Sequence, residues 1–431
     1  MQKQKSVVTE HDYEKDVGSS IQWNRWLLIP IGAWPNFRKS MIGKYFSSLI
    51  NILCFGLIAF MFVSCGLYAL IEIEELYHKI ELLGPLIFFL MTFIKYYLLI
   101  LHENDIREGC KRIEWDWKNI EHQEDRNIMT VNANYGRRLA AICTFFLFSA
   151  FAFHYIIVPI SMGKVVDENG NLSFASLPFP VPGFIADVRY SPCNEIFYFI
   201  QTLTGAVMHT VTSAACSIAA VFAVHACGQM KVMMNWLEYL VDGRPDMSNT
   251  VNGRIAKIVI QHNRILKRIL NFPSSTSIPP CYSGCNLYSS HFRFLALTEN
   301  ALQQISFVEF LGCMLIMCLL GYYLIMEWNS KDIMLSITHM ALMTSFTFNI
   351  FIFCYIGELV AEQCKKVGEM TYMIDWYRLT GKKKLGCILI IAMSNSSIKF
   401  TAGNMIELSI STFSDVVKTA MAFLNMLRAL T

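Results

Sequence analysis

The 431-residue chain is 54% hydrophobic and only 16% charged, with a formal net charge of +3 and a mean hydropathy of +0.40. That balance excludes an ordinary soluble globular domain and indicates a polytopic membrane protein. Many of its 14 cysteines, among them Cys54, Cys65, Cys143, Cys216, Cys313, Cys318 and Cys354, sit inside apolar runs. There a thiol behaves as a small hydrophobe, so a secreted disulfide framework is not expected.

Residues 1–44 are polar and charged and read as a cytoplasmic N-terminal segment. The apolar run that follows is too long for a cleavable signal, so the first span itself is expected to start insertion. Spans of about 20 residues fall at Tyr45 to Leu70, Leu82 to Leu101, Leu139 to Ile160, Ile196 to Ala226, Leu302 to Met326 and Ile333 to Val360. Residues 361–404 form an anchor segment, in which Leu385 to Met393 is too short to cross, and a seventh span fills 405–431. The predicted fold class is therefore an all-α membrane protein of seven helices.

Lys and Arg alternate sharply between the connections. They crowd the N-terminal segment and the links after spans 2, 4 and 6, whereas the other three links hold only Lys79, Lys164, Arg189 and Lys331. Basic residues stay on the cytoplasmic side, so the expected topology is inverted, with the N-terminus inside and the C-terminus outside. The sequon at Asn171, a candidate glycosylation site, lies on an expected outer loop; a second, at Asn395, lies inside. A metabotropic seven-helix receptor needs the opposite orientation.

The outer loop between spans 3 and 4 carries Gly163, Gly170, Pro178, Pro180, Pro182, Gly183 and Pro192, which favour turns and a lid over the outer mouth. On the inner side, Asn104 to His122 and Gly228 to Leu240 read as helical continuations that would build an intracellular bundle. Residues 271–291 are rich in Ser, Pro and Cys and interrupt a helical pattern that runs from Ile255 to Leu270 and resumes over Phe292 to Gln304. They read as an atypical, disordered insertion.

No phosphate loop, HExxH pair, GxSxG elbow or Cys-x-x-Cys pair is present. No catalysis, cofactor, metal or nucleic-acid partner is expected. A transporter is a weaker alternative, since Lys95 and Glu309 lie within spans but no internal repeat or paired broken helices accompany them; Lys95 is expected to snorkel.

Two constellations remain. The first is the aromatic and Met content of spans 2, 3, 4 and 6: Phe88, Phe89, Thr92 and Phe93; Phe148, Phe151, Ala152 and Tyr155; Met208, His209 and Thr212; His339, Leu342, Met343 and Phe346. Such residues can line a cavity for a small, mostly apolar ligand, although composition alone favours ordinary packing. The second is the last span. From Thr401 onward it reads as one helix bearing Glu407, Asp415, Lys418 and Arg428, charges that lipid alone does not tolerate cheaply. Met426 and Leu430 lie one turn apart, so copies around an axis would form apolar rings able to gate by dewetting. Equally, Asp415 and Lys418 can pair within a bundle.

Several motifs resemble those of insect odorant receptors. They are Gly32-Ala33-Trp34-Pro35 ahead of span 1; Glu299-Asn300, Ile305 and Val308-Glu309 near span 5; Cys354-Tyr355-x-Gly357-Glu358-Leu359 with Asp375-Trp376-Tyr377 at span 6; and Thr401-Ala402-Gly403, Leu408-Ser409, Thr412-Phe413 and Val416-Val417-Lys418-Thr419 at the C-terminus. The resemblance implies an odorant-gated, non-selective cation channel in the plasma membrane of olfactory sensory neurons, built as a heterotetramer with an odorant receptor co-receptor. It places a volatile ligand in the outer halves of spans 2, 3, 4 and 6, the subunit contacts in the cytoplasmic anchor, and the gate at Met426, Ala429 and Leu430. Asn404, Glu407 and Met426 differ from the usual pattern of the signature.

Overall fold

The computed structural model describes residues 10–35, 41–166, 173–266, 294–326, 333–381, 383–395 and 399–430. Among them, six helices are long and apolar enough to cross a membrane. Helix α1 (Glu10–Leu28) already lies within the segment read from sequence as merely polar. The turn that follows is stitched to the first two long helices, α2 (Met41–Ile71) and α3 (Leu76–Leu101). The Ser47 hydroxyl donates to the Gly32 carbonyl at 2.5 Å and the Tyr96 hydroxyl to the Ile31 carbonyl at 2.7 Å, which explains why Gly32 to Pro35 forms a motif. The outward face of α2 exposes Leu49, Ile52, Leu53 and Val63, an apolar surface of the kind that lipid covers.

Helix α4 (Glu103–Lys118) is charged and amphipathic, and α5 (Gln123–Ala152) begins where the His122 ring accepts the Glu124 N–H. The long α5 loosens into a π-type turn over Phe153–Ile157 before the short α6 (Val158–Met162). Pro159 has no N–H to give the Tyr155 carbonyl one turn back; the Tyr198 hydroxyl donates to it instead, at 2.9 Å. Beyond α6, β1 (Lys164–Val166) pairs antiparallel with β2 (Ser173–Ala175). The proline-rich chain that follows is pinned inward, because Gln201 both accepts from and donates to the Phe179 backbone, at 3.0 and 2.9 Å.

Helix α7 (Cys193–Glu238) is the central pillar, packing against α1, α5 and α10. Small residues such as Ala214, Ala215, Ser217, Ala219, Ala220 and Ala223 allow neighbours to approach it from every side. Four further helices follow: α8 (Val251–Leu266), α9 (Phe294–Met326), α10 (Ile333–Met373) and α11 (Lys383–Asn395). The 271–291 segment lies outside the described residues.

The N-terminal end of α5 and the C-terminal end of α7 join α4 and α8 in a charged bundle, and the stretches read as helical continuations are largely helical. Asp116 holds Arg112 at 3.0 Å and His225 at 3.0 Å, while Arg244 holds Asp125 at 2.7 Å and Asp246 at 2.6 Å. Burial pulls the pKa of Arg264 down to about 10, helped by neighbouring Arg112 and opposed by Asp116. For Arg244, burial works in the same direction, but hydrogen bonds to Asp125 and Asp246 outweigh it and hold its pKa above the ordinary value.

One reading needs correction: the C-terminal stretch is not a helix from its start. Thr401–Ala402 (β3) pairs antiparallel with Ile406–Glu407 (β4), and α12 runs only over Ile410–Leu430. Gly403 and Asn404 both sit at φ 60, backbone that closes a tight hairpin and interrupts helix. The apolar spacing is compatible with either form, so periodicity could not separate them.

Candidate functional site: an aromatic cavity and the junction beneath it

Between α3, α7, α9, α10 and the π-type turn lies a cavity of about 70 Å³, several times the space one water needs. Its wall comprises Gly84, Pro85 and Phe88 of α3, His154 and Tyr155 of the turn, Phe179 of the loop, His209 of α7, Ile316 and Leu320 of α9, and Leu342 and Phe346 of α10. The Tyr155 ring seats against Gly205, where a Cβ would overlap it. Phe88 meets Phe346 edge-on at 5.4 Å and His209 at 5.3 Å. Apart from the two imidazoles and the tyrosine, the wall is apolar.

Of the residues anticipated from sequence, Phe88, Tyr155, His209, Leu342 and Phe346 meet here. Phe151 stacks on Tyr155 at 5.1 Å and Phe89 meets Phe179 at 5.2 Å, each one layer behind the wall. Phe148 leans on Phe151, Met208 is buried within α7, Ala152 lies at the start of the π-type turn and Met343 packs against the core. Phe93 packs on Phe55, and His339 tilts over Tyr323 at 5.8 Å. Gly84, Pro85, His154, Phe179, Ile316 and Leu320 were missed. An aromatic flanked by Pro178 and Pro180 and a lone amide, Gln201, in an apolar span were the available signals for Phe179; nothing in span 5 marked its cavity face.

Thr92 and Thr212 are buried but do not line the wall; Thr212 belongs instead to a polar group around Lys95. Lys95 does not snorkel. It is fully buried, 2.8 Å from the carboxylate of Glu309 on α9, and donates to the Thr212 hydroxyl at 2.8 Å. The Glu309 carboxylate also accepts from Asn349 of α10 and from the Cys313 thiol. Packing on every side leaves the Lys95 side chain no exposure, and Glu309 supplies the counter-charge. The Lys95 ammonium lies 6.0 Å from the Phe88 ring centroid, so charge and cavity adjoin.

The signature motifs converge at a second place. Gly357 lets α10 touch the chain just before α12, since a Cβ there would overlap the Leu408 carbonyl oxygen. Glu358 accepts the Ile410 N–H at 3.3 Å, Thr401 donates to Glu299 at 3.0 Å, and the Gly403 N–H donates to the Gln303 carbonyl at 2.9 Å. The hairpin is thus clamped between α9 and α10 at the root of α12. Helix α12 buries Ala420 and Leu424, the latter in a cluster with Leu319, Tyr322 and Tyr323 of α9. Its other side exposes Asp415, Lys418, Met421 and Met426. The side chains of Ala429 and Leu430, and Asn171 as a whole, lie outside what the structure describes. Among the described residues, no group of His, Cys, Asp and Glu could hold a metal ion.

The sequence profile described as 7tm Odorant receptor matches residues 75–421, so the chain belongs to the odorant receptor family. It is a multi-pass membrane protein of that class. Among curated relatives, it is 21% identical to Odorant receptor 10 of Aedes albopictus over 58% of each chain. It is 25% identical to Odorant receptor 42b of Drosophila melanogaster over 31% of this chain and 33% of that one. The matched stretch therefore spans just over half of the first relative and a third of the second. The fold resembles that of the insect olfactory receptor OR5 from Machilis hrabei in complex with eugenol, with a TM-score of 0.73, 14% identity, and coverage of 97% of this chain and 100% of that chain.

Proposed function

We propose that this chain is the odorant-specific subunit of a ligand-gated, non-selective cation channel, assembled as a heterotetramer with the odorant receptor co-receptor in olfactory neurons. The observation that carries this reading is that a single helix, α9, serves both loci. Ile316 and Leu320 face the cavity, while Leu319, Tyr322 and Tyr323 hold α12 through Leu424. A ligand that fits the cavity better when α9 has shifted biases the position of α12, by no more than its difference in affinity between the two states.

In this reading α12 is the seventh span and lines the pore, with the N-terminus cytoplasmic and the charged bundle as the cytoplasmic anchor. Met426, Ala429 and Leu430 form the gate. The exposed flank of α12, with Met426 at 54% exposure, is then covered by neighbouring subunits or faces the conduction path. A metabotropic receptor would require the opposite orientation, and a transporter would give saturable uptake rather than current. Tyr155→Ala is expected to shift the half-activating odorant concentration at constant surface expression, and Leu430→Ala to alter basal current. If both variants changed only surface expression, the assignment of cavity and gate would lose its support.

A further inference from the structure

His209 fixes a chemical preference in the cavity wall. Its Nδ1 lies 2.8 Å from the backbone carbonyl of Gly205, one turn back on α7. A carbonyl oxygen only accepts, so Nδ1 must carry the proton and donate it. In the neutral ring Nε2 is then a bare acceptor. The ring stands on the cavity wall, and no protein donor among the described residues reaches its second nitrogen. The tautomer is set by helix geometry and cannot be exchanged to suit a ligand without losing the Gly205 bond.

We propose that the cavity selects small ligands bearing a hydroxyl, alcohols or phenols, whose O–H donates to His209 Nε2 while the carbon skeleton packs on Phe88, Phe179 and Phe346. This rests on the reading of the cavity as the ligand site and adds the ligand class. An ether or aldehyde of the same shape fills the same space but leaves Nε2 unpaired. An unmade hydrogen bond in a dry site costs more than a made one gains, and a site built around a hydrogen bond rejects the analogue lacking it far better than it rejects a change of one methylene. His154, the other imidazole on the wall, has no tautomer-fixing partner among the described residues. It can adjust to donor or acceptor and does not set the class.

The test uses the full-length chain expressed with the co-receptor. Matched triplets of equal heavy-atom count are applied: n-alkanol, n-alkanal and alkyl methyl ether, and benzyl alcohol, benzaldehyde and anisole. The alcohol of each active triplet is expected to half-activate at about tenfold lower concentration than its partners. In His209→Phe that gap should shrink to under about twofold. The wild-type comparison stands without the variant, should the variant fail to fold. Equal potency within triplets overturns the hydroxyl preference, and a gap that survives His209→Phe overturns its assignment to His209; in either case a shift of ether potency in Phe346→Ala would show that the cavity reading itself holds. If no triplet evokes current and none binds the purified chain, the cavity reading and the hydroxyl preference fall together.

Discussion

Two opposite-charge pairs of this protein stand on otherwise apolar helices, one bridging α3 and α9 and one within α12, and the fold treats them in contrary ways. Lys95 of α3 meets Glu309 across the core with both side chains fully buried. Lys418 and Asp415 pair along α12 at 3.4 Å, with exposures of 73% and 67%. The first pair is closed, with every neighbour supplied by its own chain. The second is left open on the exposed flank of α12; in the proposed reading, where α12 is a span, its environment comes from water or another subunit.

That contrast can be broken by mutation. The largest effect is expected at the closed pair: Lys95→Met or Glu309→Leu alone strands a buried charge and should cost about 3–5 kcal/mol, while the double substitution recovers most of it. Thermal melting of detergent-purified protein reads both. If the single variants melt within about 2 °C of the parent, the pair does not hold the core.

Next is the root of α12. Gly357→Ala should cost about 1–3 kcal/mol through overlap with the Leu408 carbonyl, lowering surface delivery or uncoupling ligand from current. In the cavity, Phe151→Ala removes the ring stacked behind Tyr155 and should raise the half-activating concentration of a given odorant about threefold to thirtyfold, measured by dose response. Least affected in stability is the open pair. Asp415→Asn should change melting by less than about 1 kcal/mol yet alter single-channel conductance; an unchanged conductance would remove α12 from the conduction path.

The same contrast shows what the sequence made legible. Long apolar runs are a one-dimensional signal, and they marked the helices later described as α2, α3, α5, α7, α9 and α10. The inner-link helices and the aromatic content near Phe88, Tyr155 and Phe346 were readable for the same reason. Pairing across the chain was not. Lys95 could be seen as a charge within a span, but whether it reaches water or Glu309 depends on the facing of two helices far apart in sequence. The Thr401 hairpin escaped because its four strand residues fit a helical apolar pattern as well, and only Gly403 beside Asn404 hinted at a turn. Gly357 looked like a motif letter until Leu408 was placed against it. Phe179 reached the cavity from a proline-rich loop, where pattern says nothing about direction.

The most direct test is whole-cell current from cells expressing this chain with and without the co-receptor during exposure to a broad volatile panel. The account predicts a rapid current that requires both subunits and reverses near zero potential. Surface-expressed chain that yields no current on any volatile with the co-receptor present, or a response that depends on intracellular GTP, would contradict it.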